Sequence, residues 1–139
     1  MDQHDEEPIY FNHSASLRIF GDIADLDGIS ASLGLSPTHT HRAGDETSLS
    51  KHAKAYENDM WTFSPDVPKD AAIESHIDTL WRHIESNREY LLELKKTLTV
   101  DVFIGYRSNC DNAGIDIPHE SLAMFSDLEI PLRLSIIVA

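Results

Sequence analysis

A chain of 139 residues with 41% hydrophobic content is one domain's length and carries enough apolar material for a single core. Its formal charge of −13, from 11 Lys and Arg against 24 Asp and Glu, repels nucleic acid and anionic membranes and steers a basic protein partner in. One cysteine excludes an internal disulfide and a cysteine-rich zinc site, and the longest apolar run, "LSIIVA", is far short of the roughly 20 residues of a membrane helix.

The first thirteen residues, "MDQHDEEPIYFNH", are acidic and lack a basic region followed by an apolar stretch. They are expected to be a tail or an extension of the first strand, in a cytoplasmic protein without a signal peptide. A single domain is expected over 14–139, with no internal repeat. "ASLRIFG" sets Ala15, Leu17 and Ile19 against Ser16, Arg18 and Phe20, the period of a strand; that strand could begin as early as Ile9. "DLDGISASLGL" predicts a short helix, with Asp25 at the N-cap, Leu26, Ile29 and Leu33 on one face and Gly34 at the C-terminus. A long loop follows from Ser36 to Asn58, and loops of that length are functional or mobile. "MWTFS" is the next strand, stopped by the two prolines of "PDVP".

The strongest helical pattern runs from about Ala71 to Leu98. Ile73, Ile77, Leu80, Ile84, Leu91, Leu94 and Leu98 form its stripe, Asp70 suits the N-cap, and Lys95 and Lys96 suit the negative end of the dipole. "TVDVFIGY" predicts a strand, "RSNCDN" a polar turn and "AGIDI" the hairpin partner. "PHESLAMFSDL" predicts a last helix with Pro118 in its first turn. "PLRLSIIVA" ends the chain as a strand with Leu132, Leu134, Ile136 and Val138 on one face. The order β-α-β-α-β-β-α-β points to an α+β, ferredoxin-like open sandwich, with helices on one face of a mostly antiparallel sheet. An exposed face or edge of such a sheet is a natural docking place for another protein.

Chemistry-bearing residues are sparse. His39 and His41 are two apart, so on a strand both would point to one side and could reach one metal; Asp45, Glu46 or His52 would have to complete the set, but no regular spacing places them. Arg42-Ala43-Gly44-Asp45 reads as a tight turn, in which Gly44 allows a positive φ and Asp45 accepts backbone N–H groups. Cys110 has no nearby histidine and reads as an idle thiol, while Asn109 and Asn112 suit the hairpin turn. His76 and His83, seven apart, suit a solvated helix flank. No G-x-S-x-G, G-x-G-x-x-G or phosphate-loop pattern occurs, so neither an enzyme nor a nucleotide cofactor is expected.

The acids have a pattern of their own. Asp22, Asp25 and Asp27 fall on a strand-to-helix connection, and Asp45 and Glu46 follow the tight turn. Brought to one edge, they would form a concentrated negative patch beside Arg42. Trp61 and Tyr106, if partly exposed nearby, would serve as apolar anchors.

Taken in order, "SLRIFG", "LGLSPT" with "RAGD", "MWTFS", "FIGYRSNCDNAGIDI" and "LRLSIIVA" resemble a bacterial family, the domain-of-unknown-function family 4279. Gly34, Pro37, Thr38, Gly44, Asp45, Trp61, Gly105, Asn112 and Gly114 carry the resemblance from about Ser14 to Ala139. Met60 stands where the family commonly has a glycine. The resemblance implies a small cytoplasmic α+β domain without assigned chemistry, and some small acidic bacterial families of this type look like immunity proteins. The expected function is therefore non-enzymatic protein binding: a monomer or weak dimer that meets a basic partner, such as a toxin whose active cleft it covers. The competing expectation is a small-ligand or metal-binding domain using the Ser36–Glu46 loop.

Overall fold

The computed structural model describes residues 8–46 and 55–139. Five strands form one sheet: β1 (Phe11–Gly21), β2 (His39–His41), β3 (Asp59–Phe63), β4 (Thr99–Ser108) and β5 (Leu132–Val138), in the spatial order β2-β3-β1-β4-β5. Only β4 and β5 run parallel; the other three pairings are antiparallel. Among the described residues four α-helices accompany the sheet: α1 (Leu26–Leu33), α2 (Ile73–Ile84), α3 (Arg88–Leu94) and α4 (Ala123–Leu128). The class is α+β, with an open, mostly antiparallel sheet. No helix among the described residues is long and apolar enough to cross a membrane.

Register explains the core. Leu17 lies opposite Val102 and Phe63, and Ile19 opposite Val100 and Trp61, so one face of three strands is a continuous apolar surface. Ile29 and Leu33 of α1, Ile73, Ile77, Leu80 and Ile84 of α2, Leu91 of α3 and Met124, Phe125 and Leu128 of α4 close over that face in one buried cluster. Trp61 is fully buried at its centre and donates its indole N–H to Ser30 Oγ at 2.9 Å.

The structure corrects the element order in two places. "AGIDI" forms no strand, because β5 takes the place beside β4; Ile115 and Ile117 instead pack against the core from an irregular segment. The additional strand is β2, inside the long loop, where His39, Thr40 and His41 pair with Thr62, Trp61 and Met60. The first strand does extend into the acidic N-terminal stretch, as far as Phe11, and Asn109 rather than a hairpin turn holds it there. Asn109 Oδ1 accepts from Tyr10 N at 3.1 Å and its amide donates to Pro8 O at 2.9 Å.

The long helix is two helices. It begins at Ile73 with Ala72, not Asp70, at the N-cap, and a 3-10 turn at Glu85–Asn87 separates α2 from α3. Asn87 leaves helical geometry (φ −108°, ψ 23°), and its amide donates to Leu33 O at the end of α1, at 3.4 Å. The bend keeps Ile84 and Leu91 both buried on a curved core. His76 is not a solvated flank: it is 3% exposed, whereas His83 is exposed and shares a 2.8 Å hydrogen bond with Thr79 O.

The face of the sheet that carries no helix among the described residues has a polar centre. Asp101 is fully buried there, accepting from Arg18 Nε and Nη2 at 2.8 Å each and pairing with Arg133 at 2.6 Å. The Arg18 guanidinium lies over Phe103 and Phe20, 4.8 and 5.5 Å from the ring centroids. This cross-strand clamp ties β1, β4 and β5. Removing the carboxylate leaves two cations facing each other, so Asp101→Asn is expected to lower stability by about 2–3 kcal/mol in urea unfolding. Glu129, which ends α4, stands in the left-handed region (φ 52°, ψ 50°), and Lys95 Nζ donates to Leu128 O at 2.8 Å and Glu129 O at 2.6 Å. Glycine suits that backbone better, so Glu129→Gly is expected to raise stability by about 0.5–1 kcal/mol; a loss would show that the Glu129 side chain matters more than its φ.

Candidate functional site

One buried carboxylate organises the acidic corner. Asp59, at the start of β3, accepts from Ile23 N at 2.9 Å and Ala43 N at 2.8 Å, and pairs with Arg42 at 3.3 Å. Arg42 also donates to Ile23 O. Ile23 belongs to the connection between β1 and α1, and Ala43 to the turn after β2. Asp59 therefore joins the two acid-bearing segments that lie about 20 residues apart in sequence. The N–H donors of Ala43 and Ile23, with Arg42 beside them, hold its carboxyl below the ordinary range.

The turn itself is built as its residues suggest. Gly44 has φ +94°, Asp45 Oδ2 accepts from Arg42 N at 2.8 Å, and Asp45 N donates to Arg42 O at 3.1 Å. Backbone bonds between Gly44 and Tyr56 and between Asp45 and Tyr56, each 2.9 Å, and a bridge from Glu46 to Ala55 close the base of the loop. Arg42 and Asp45 thus serve the architecture first. Asp22, Asp25, Asp27, Asp45 and Glu46 are all exposed around this knot. Asp25 stands at the N-cap of α1 but makes no side-chain capping bond. Its carboxylate lies over the first turn, where a Cβ at Gly28 would meet it at 2.8 Å.

His39 and His41 do share one side of β2. They face each other, His39 Nε2 to His41 Nδ1 at 3.0 Å, and His41 stacks on Tyr56 with ring centroids 3.4 Å apart. Each ring thereby commits one nitrogen to the other. No group of three or more His, Cys, Asp or Glu that could hold a metal occurs among the described residues, and His52 lies outside them. Burial, then the charge of His39, lowers the His41 pKa; burial and then His13 do the same to His76.

Two expected anchors are corrected. Trp61 has no exposed surface and Tyr106 has 6%, because both fall on the face of the sheet that the helices cover, so neither can be offered to a partner in this fold. Cys110 keeps its thiol near Asn112 O, at 3.7 Å. Exposed apolar surface lies instead on β5. Leu132, Leu134, Ile136 and Val138 sit opposite Val102, Ile104, Tyr106 and Ser108, on the helix side of the sheet, yet are 37–58% exposed. Ile137, on the opposite side, is 44% exposed. The alternation in "LRLSIIV" was readable in the sequence; that no helix of the described residues reaches over it was not.

Two measurements probe these groups. Asp59→Ala is expected to release the Ile23 and Ala43 amides to fast hydrogen exchange while Leu17 and Val102 stay protected; unchanged exchange would show that Arg42 suffices. His41 and His76 favour the neutral form in the fold, whereas the unfolded chain takes up protons near pH 6.5, so their stabilisation is complete above that value and declines as pH falls below it. Urea midpoints are expected to drop between pH 7 and 5.5, and His76→Leu to flatten that slope.

Comparison with curated proteins found no match, and comparison with solved structures found none. The family model described as "Domain of unknown function (DUF4279)" matches residues 10–139, nearly the whole chain. The chain belongs to the DUF4279 family.

Proposed function

We propose that this chain is a non-enzymatic protein-binding domain whose partner is basic, and that it acts as an immunity-type protein, covering the active cleft of a bacterial toxin in the cytoplasm. The observation that carries the reading is β5: a seven-residue edge strand without proline, with nothing hydrogen-bonded along its outer side among the described residues and with five large aliphatic side chains exposed. Edges of this kind are normally blunted by charge, proline or a covering loop, and a bare one offers backbone and apolar contacts to another chain. The acidic corner supplies the sign of that chain. Two carboxylate-bearing segments held together by Asp59 favour a cationic surface, steer its approach and discriminate among related partners. The immunity role adds to this only analogy with other small acidic bacterial families.

The two surfaces act on different rate constants. Asp22→Asn with Asp27→Asn is expected to slow association and weaken its salt dependence, whereas Ile136→Lys with Val138→Lys is expected to speed dissociation at least tenfold. The direct test is co-expression with the product of the adjacent gene, scored for toxicity to the host. Protection of the host and co-elution of the pair are expected, and loss of both in the β5 variant, with its circular dichroism unchanged. Absence of protection and of a complex with the unaltered chain would remove the immunity reading.

A further inference from the structure

The side of the sheet opposite the helices holds a cavity of about 340 Å³ whose chemistry runs against the charge of the whole chain. Gly105 of β4 lines it, and a Cβ there would come within 2.5 Å of Ser14 Oγ on the neighbouring strand. Glycine therefore keeps a notch open between two strands. Asn12 and Ser14 of β1 border the notch on one side. Ser135 and Ile137 of β5 border it on the other, and Phe103 lies along the same strand as Gly105. Arg107 and Lys69, with His13 and Tyr106, complete the lining. Lys69 is held at this place by its carbonyl, which accepts from His13 N at 2.8 Å.

Charge is segregated among the cavities. Among the described residues no carboxylate lines this one, whereas Asp70, Glu74 and Asp116 line a second and Glu57 a third. Arg107 and Lys69 are both exposed, and among the described residues neither is in an ion pair, although acids outnumber bases by 24 to 11 in the sequence. The general negative field is screened beyond roughly 8 Å at physiological salt, so the two cations dominate inside the notch. Hydroxyl and amide donors from Ser14, Ser135 and Asn12 stand with them. Phe103, kept in place by the Arg18 guanidinium 4.8 Å from its ring, and Ile137 add apolar walls. A planar guanidinium with a second cation suits a carboxylate, and the walls suit an apolar body attached to it.

We infer that this cradle binds a small organic anion, a carboxylate with an aromatic or aliphatic body, independently of any protein partner. The inference uses neither the Ser36–Glu46 loop nor its histidines. The test is a nuclear magnetic resonance titration of the full chain with benzoate, and in parallel with inorganic phosphate. Benzoate is expected to shift the amides of 12–14, 103–107 and 135–137 saturably. Arg107→Gln and Lys69→Gln are each expected to weaken it about tenfold. Gly105→Ala alone would collide with Ser14, so the notch is filled in a Ser14→Ala, Gly105→Ala double variant, in which that contact is gone. This variant is expected to keep a dispersed spectrum and lose benzoate binding, while Ser14→Ala alone weakens it only two- to threefold. Saturation elsewhere, no saturation, binding indifferent to these variants, or phosphate binding as tightly as benzoate would each overturn the inference.

Discussion

Short helices have to cover a five-strand sheet, and they do not reach across it. Strands lie about 4.8 Å apart and an α-helix is about 10 Å wide, so each helix shields roughly two strands. The helices here have 8, 12, 7 and 6 residues. They close over β1, β3 and β4, where Leu17, Ile19, Trp61, Val102 and Ile104 are shielded from solvent. Coverage ends before β5, and the side chains that the alternation aims at the core remain open there. The uncovered edge at β5 and the burial of Trp61 and Tyr106 both follow from where the helices of the described residues reach.

The opposite face of the sheet is held by polar chemistry. Arg18, Asp101 and Arg133 bind three strands together, and Phe20 and Phe103 flank the first guanidinium. A carboxylate deep in an apolar-looking strand is costly unless fully paired, and Asp101 is paired on both sides. Asp59 plays the corresponding part at the corner, where it fixes two turns rather than two strands. Both are single acids among 24, and each works by gathering donors from distant parts of the chain.

Period-2 alternation made the strands at Ala15, Trp61, Val102 and Leu134 legible in the sequence, and period 3.6 made the stripe of α2 legible. The tight turn at Gly44 was readable from residue type alone. Other features were not. Ile115 and Ile117 alternate as a strand would, but pairing is decided by which strand occupies the neighbouring place, a tertiary matter. Asn87 leaves helical geometry where its amide meets Leu33 O, 54 residues away, a tertiary contact that the apolar stripe hides. The roles of Asp59 and Asp101 depend on partners 16 to 83 residues away. The acidic corner was half legible: its members could be named, and only the structure supplies the carboxylate that draws them together.

Everything proposed for partner binding rests on β5 being bare in the isolated chain, and amide hydrogen exchange along Leu132–Val138 at low protein concentration reads this directly. Alternate amides, those turned away from β4, are expected to exchange nearly as fast as in an unstructured peptide, while their neighbours are protected. Uniform protection along the strand would show the edge already occupied and would contradict the account.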